Sequence, residues 1–268
     1  MVLNPKTKAV ILCGGQGTRI RDVSENLPKP LIPIGSKPIL WHIMKIYHTQ
    51  GIKNFILCLG YKGEDIRDFF LNYKNYVSDI TVNTKENEIT VHPKNDLEDW
   101  NITLVNTGET TNTAKRLYLV RKYIEHDPYF MLTYGDGVSD IDLNRLFELL
   151  RVLHQKKQIL GTITGVNPLS KYGEVKSSDD ELVSSFVEKP VLKDSFINGG
   201  FMVFDSEFLR NPMLKEDIPL ERVLEKLSEN GKIALYRHYG FWHSMDTQRD
   251  FQSLNELWKA GDPLWKIW

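Results

Sequence analysis

The chain has 268 residues, 41% hydrophobic and 26% charged, a balance that supports a substantial core and excludes disordered or collagen-like classes. A net charge of −1 leaves no cationic excess to neutralise a run of phosphates, which argues against general nucleic-acid binding. No apolar run approaches a membrane span, and MVLNPKTK leads into a strand instead of a signal peptide, so the expected compartment is the cytoplasm.

KAVILC (8–13) reads as a buried strand. After a long loop, Pro38 stands as the first residue of a helix whose apolar positions Ile39, Ile43, Ile46 and Tyr47 recur at helical spacing, with Gly51 as its stop. NFILCLG (54–60) is the next strand, and Ile66, Phe69, Phe70 and Tyr73 mark the next helix face. Segment 75–101, rich in Asn, Lys, Glu and Asp, reads as a surface excursion carrying a small hairpin. ITLVNT (102–107) is a third strand before a helix from about Asn112 to Tyr123; PYFMLTYGD (128–136) is a fourth before a helix near Leu143–Leu153. This alternation predicts an α/β fold, a Rossmann-like and mostly parallel sheet flanked by helices. Cys13 and Cys58 sit inside the apolar runs and read as buried free thiols.

The second half turns β-rich. LGTITGV, YGEVKSS and LVSSFVE are short strands, with SDDE (178–181) as a hairpin turn. GGFMVFD (199–205) is another strand, and Pro219–Asn230 reads as a helix closed by Gly231. With no repeat or low-complexity linker, one domain is expected, packed without a flexible joint from two parts, about 8–140 and about 141–268.

GGQGTRI (14–20) follows the first strand. A dinucleotide fingerprint starting at Gly15 would need glycine where Ile20 stands, and the Gly-Lys-Ser/Thr of a P-loop is missing. Glycines at the carboxyl edge of a sheet still let backbone N–H groups approach an anion, and Arg19 adds a fork of donors. A glycine-rich turn with a surface arginine fits the loop equally well. In PKPLIPIG (28–35) two prolines mount Lys29 on a stiff segment, where it is either solvated or part of a polyphosphate clamp. TYGDG (133–137) puts Asp136 at the same sheet edge, a carboxylate suited to Mg²⁺. FWHSMDTQRD (241–250) offers Asp246 at a strand-to-helix junction, either as a second metal ligand or as a helix N-cap.

Together AVILCGGQGTR, PKPLIPIGSKPIL, TYGDG, VEKP, INGGFMVF and MDTQRD resemble the sugar-1-phosphate nucleotidyltransferases, in order and over nearly the whole chain. ILWHIMKIY, GYKG, WNITLVNTGE, GFWHSMDT and the LWKIW ending resemble the glucose-1-phosphate cytidylyltransferase subgroup most closely. The resemblance implies that CTP and a sugar 1-phosphate react with Mg²⁺ to give a CDP-sugar and pyrophosphate, in nucleotide-sugar or surface-glycan synthesis. UTP or dTTP as donor, or a non-catalytic nucleotide-sugar-binding module, are the alternatives. In-line attack on the α-phosphate needs no covalent enzyme intermediate, so positioning and charge neutralisation carry it. By the same resemblance Leu12, Gly14, Gly15, Gly17, Thr18, Thr113 and Gly135 hold the nucleotide, and Arg19 and Lys29 neutralise its β- and γ-phosphates. Asp136 and Asp246 hold the metal. Lys189 pairs with the sugar phosphate or the α-phosphate, Glu188 binds sugar hydroxyls unless the two form a buried ion pair, and Tyr172, Gly173 and Asn198 are sugar-pocket positions. A homo-oligomer is also implied, with the terminal DPLWKIW docking on a neighbouring subunit or on its own domain. One stretch departs from the subgroup: Thr113-Ala114-Lys115-Arg116-Leu117 stands where Thr-Gly-Gly-Arg-Leu is usual. Ala114 and Lys115 are there expected to reshape the base or sugar pocket, or Lys115 to meet an acidic group on the substrate, so that the acceptor need not be glucose 1-phosphate.

Overall fold

Uninterrupted apolar runs such as KAVILC stay out of water only when both faces of their sheet are covered, and the fold supplies that cover. The computed structural model describes residues 4, 6–15, 20, 27–92, 97–170 and 172–268. Strand β1 (Lys8–Cys13) is followed by a 3-10 turn at Lys29–Leu31, the two-residue strands β2 (Pro33–Ile34) and β3 (Lys37–Pro38), and helix α1 (Ile39–Thr49). Next come β4 (Asn54–Leu59), helices α2 (Gly63–Leu71) and α3 (Tyr73–Val77), the hairpin of β5 (Asp79–Asn83) and β6 (Glu88–His92), and β7 (Asn101–Asn106). Helix α4 (Thr113–Val120) leads to β8 (Tyr129–Tyr134), β9 (Gly137–Ser139), α5 (Leu143–Lys157) and β10 (Gly161–Val166). A ribbon of β11 (Glu174–Ser177) and β12 (Val183–Val187) precedes β13 (Ile197–Asp205), α6 (Leu220–Glu229), β14 (Ile233–His238), β15 (Trp242–Ser244) and α7 (Gln248–Lys259).

Seven strands form the central sheet in the order β14-β10-β13-β8-β1-β4-β7. Pairing is parallel from β8 through β1 and β4 to β7 and between β10 and β14, while β13 runs antiparallel to both neighbours. The expected mostly parallel sheet is therefore present, with one reversed strand in its middle. That reversal brings the start of β13 to the edge where β1, β4 and β8 end. Side chains alternate between two cores: Ala9, Ile11 and Cys13 face one, Val10 and Leu12 the other. Cys58 shares the second core, so the two cysteines lie on opposite faces as buried free thiols.

The element expectations hold with local shifts. Pro38 pairs within β3, so α1 starts one residue later, and Gly51 takes the left-handed conformation (φ 95°) just beyond its end. Tyr73 opens α3 because the helix carrying Ile66, Phe69 and Phe70 ends at Leu71, with Asn72 between the two. The excursion holds the expected hairpin, and Trp100 inserts into the core against Trp41, Phe55 and Tyr73. Of the two placements for the chain end, the structure shows docking on its own domain. Trp265 is fully buried beside Phe241 and Trp258, and its indole N–H donates to His42 Nδ1 at 3.4 Å. His42 Nε2 reaches Ile34 O at 3.0 Å, and burial pushes its pKa down to about 4.

Candidate active site

The parallel strands β8, β1 and β4 end at one edge of the sheet, and the crevice outside such carboxyl ends is where open α/β sheets bind ligands. A cavity of about 270 Å³ lies there, lined by Leu12, Gly14, Gly15, Lys29, Thr113, Gly135 and Asp136 among others. A second, of about 250 Å³, lies toward β13 and β15 and takes in Asn198, Trp242 and Asp246. Tyr134 and Asp136 line both. The Tyr134 hydroxyl donates to Glu221 Oε1 (2.6 Å) and accepts from Asn198 Nδ2 (3.4 Å), which fixes the ring between the two spaces. Burial and the Glu221 carboxylate hold the Tyr134 phenol well above its usual pKa.

At the meeting point Lys29 Nζ donates to Asp136 Oδ2 (2.6 Å) and to Asp246 Oδ1 (2.7 Å). The pairing of β9 with β15 sets Gly137 opposite Ser244, and Met245 N–H donates to Asp136 O, so the two aspartates are brought together by backbone. Lys29 is 11% exposed on its side chain, in the 3-10 turn between Pro28 and Pro30. Burial alone would lower its pKa, but Asp136 and then Asp246 outweigh that and raise it above the ordinary lysine value. The open choice over Lys29 is settled against solvation. Asp246 is not the N-cap of α7; Thr247 is, in a capping box with Asp250. Helix α7 also fastens the Lys29 segment, since Asn255 accepts from Gly35 N–H (2.9 Å) and donates to Pro33 O (3.3 Å). Asp136 and Asp246 converge on the Lys29 ammonium, and a pair of carboxylates is as many protein ligands as Mg²⁺ ordinarily takes.

Arg116 is the residue that sequence reasoning passed over. It is 3% exposed and lines the first cavity. Nη1 donates to Leu59 O (3.0 Å), Thr107 Oγ1 (2.7 Å) and Gly108 O (2.8 Å); Nη2 donates to Glu109 O (3.2 Å) and Gly14 O (3.4 Å). The guanidinium thus ties together the ends of β1, β4 and β7. Gly14 and Gly60 leave it room, for a Cβ on either would overlap its tip. The only available signal was its place in the Thr-x-x-Arg-Leu stretch, and a single arginine on a helix otherwise reads as solvated.

Lys115 points elsewhere. Its ammonium donates to Lys215 O (2.7 Å) and lies over the Tyr118 ring, while Ala114 is buried in the core. Neither residue lines the cavity, which corrects the expectation that they reshape a substrate pocket. Thr113 does line it, with its hydroxyl accepting from Leu220 N–H at the start of α6 (2.7 Å). Of the expected sugar positions, Asn198 lines the second cavity. Tyr172, Gly173, Glu188 and Lys189 gather on the ribbon outside both cavities: Tyr172 is 77% exposed, and a Cβ on Gly173 would touch Glu188. Glu188 and Lys189 pair at 3.3 Å with both side chains open to solvent, so they are not a buried ion pair. Gly17, Thr18 and Arg19 lie outside the described residues.

The two cavities meet at Asp136 at the carboxyl edge of the sheet, and the chain belongs to the nucleotidyl transferase family, whose profile it matches over residues 8–260. It is 42% identical to a probable glucose-1-phosphate cytidylyltransferase of Bacillus subtilis (strain 168) over 266 residues, covering 97% of this chain and all of that one. It is 41% identical over 263 residues to the glucose-1-phosphate cytidylyltransferase of Salmonella typhimurium, covering 97% and 99%. The fold is shared with HddC from Yersinia pseudotuberculosis (TM-score 0.66, 23% identity, 94% and 99% covered). It is also shared with the CTP:phosphocholine cytidylyltransferase of Streptococcus pneumoniae (TM-score 0.59, 18% identity, 94% and 99% covered).

Proposed function

We propose that the chain joins CTP to a sugar 1-phosphate, glucose 1-phosphate first among them, releasing pyrophosphate. The observation that carries this reading is that Asp136 lines both cavities, so a nucleotide in one and a sugar phosphate in the other would meet at it. The 8–140 part would hold the nucleotide through Leu12, Gly14, Gly15, Gly17, Thr18, Thr113 and Gly135. The 141–268 part would contribute Asn198, with Tyr172, Gly173, Glu188 and Lys189 from the ribbon. An acceptor phosphate oxygen forms a bond to the α-phosphorus while the bridge to the β-phosphate breaks, and its electron pair departs with pyrophosphate. Lys29 and Arg19 would offset negative charge on that leaving group. Mg²⁺ held by Asp136 and Asp246 would supply further neutralisation of phosphate oxygens when bound.

The names of the relatives at 41–42% identity support CTP and glucose 1-phosphate, and Lys115 turned from the cavity gives no ground for another acceptor. Soluble phosphorylated substrates suit a cytoplasmic enzyme, and among the described residues no helix is long and apolar enough to cross a membrane. The homo-oligomer implied by the resemblance is checked by light scattering. The deciding experiment is a matrix of nucleoside triphosphates against sugar 1-phosphates, read by pyrophosphate release. CTP with glucose 1-phosphate is expected to turn over fastest. Preference for UTP or dTTP would overturn the base, and binding without release would make the chain a nucleotide-sugar-binding module.

A further inference from the structure

Asp246 stands in the connection between β15 and α7, and its direction depends on that short backbone. Its Oδ2 accepts from Ser244 Oγ (2.9 Å), which leaves Oδ1 for Lys29. Its own N–H donates to Asp250 Oδ2 at 3.1 Å. The same oxygen accepts from Thr247 N–H and Thr247 Oγ1, both at 2.8 Å. His243 Nε2 lies 3.2 Å from Asp250 Oδ1 and braces the carboxylate from the β15 side. A capping box needs its third residue to accept only from the N-cap N–H. Asp250 reaches one residue further back and grips the peptide of Asp246 itself.

We propose that Asp250 is a positioning residue for the reaction, aiming the Asp246 carboxylate toward Asp136 and Lys29 by clamping the backbone at 246 and 247. The proposal rests on the reading of Asp246 as a metal carboxylate. Outer-shell groups of this kind typically contribute roughly 10–100-fold to metal affinity or activity.

The test compares Asp250→Ala with Thr247→Ala. Thr247→Ala removes the hydroxyl that accepts from Asp250 N–H (3.3 Å) and donates to Asp250 Oδ2 (2.8 Å), so it weakens the same helix cap while leaving the backbone N–H bonds of Asp246 and Thr247 to that oxygen. Three quantities are measured: Mn²⁺ affinity in the presence of CTP by electron paramagnetic resonance, kcat and KM for glucose 1-phosphate, and Tm. Asp250→Ala is expected to weaken Mn²⁺ binding and lower kcat by roughly 10-fold or more with little change in KM. Thr247→Ala is expected to lower Tm to a similar degree while Mn²⁺ affinity stays within about twofold of wild type. Equal loss of Mn²⁺ affinity in both variants, or none in Asp250→Ala, would overturn the positioning role while leaving the function reading intact. A wild-type protein that binds no Mn²⁺ with CTP would overturn that reading and the proposal with it.

Discussion

Replacing Gly14 by alanine tests whether Arg116 holds up the nucleotide loop. The added Cβ would overlap Arg116 Cζ and Nη1 and lie 2.5 Å from Nη2, well inside any ordinary contact. The end of an arginine usually swings aside at little cost. Here it is held by five oxygens at 2.7–3.4 Å and almost wholly buried, so relief means lengthening those bonds or lifting the loop. Overpacking costs about 1–3 kcal/mol, and losing one hydrogen bond to a charged group about 1.5–3 more. A loss of about 2.5–6 kcal/mol is therefore expected, a fall in Tm of order 10 °C. Circular-dichroism melts and urea titrations give that quantity, and pyrophosphate release gives the accompanying rise in KM for CTP. Arg116→Ala alone strips donors from the same oxygens but empties the space, so Gly14→Ala added to it should cost much less than in wild type. Two findings would refute the reasoning: Gly14→Ala within about 0.5 kcal/mol of wild type, or a double mutant whose losses simply add.

Asp136→Asn is expected to lower kcat by on the order of 10²-fold or more in the pyrophosphate assay, with secondary structure unchanged by circular dichroism. Lys115→Ala should leave kcat/KM for both substrates within about twofold, and a change in base or sugar preference would contradict its outward orientation. His42 titrates near 4 in the fold against about 6.5 when unfolded, so the unfolded chain binds the extra proton between those values. Its stabilisation, up to about 3 kcal/mol, is present above pH 6.5 and lost as pH falls toward 4; urea unfolding across that range should show the slope, and His42→Gln should flatten it. Trp265→Ala, which empties a fully buried site and takes the donor from His42, should cost about 3–5 kcal/mol by the same titration.

Much of the fold was legible because strands covered on both faces must be apolar throughout: KAVILC and NFILCL could hardly be anything else. Strand β14 went unread, since IALYRH mixes polar residues along an edge of the sheet where burial demands less. The reversal of β13 was equally hidden, because GGFMVFD has the same apolar look in either direction. The carboxylates and Lys29 were legible from stiff prolines and sheet-edge glycines, while the share of each in one ion cluster depended on the β9–β15 pairing. Arg116 carried no local mark of burial. What keeps it inside is the missing Cβ of Gly14 and Gly60, two residues far from it in the chain. Asp246 and Thr247 show a related ambiguity: either could cap α7, and the choice falls to Thr247 once Asp250 closes the box.

Lys29 meets one aspartate 107 residues downstream and the other 217. During synthesis, then, the three charges cannot assemble until residue 246 has emerged, and Asn255 can close over the Lys29 segment only after that. A chain ending before α7 would keep all seven strands of the central sheet and all three charged residues but would lose Asn255, which fastens the Lys29 segment, and Asp250, which grips Asp246.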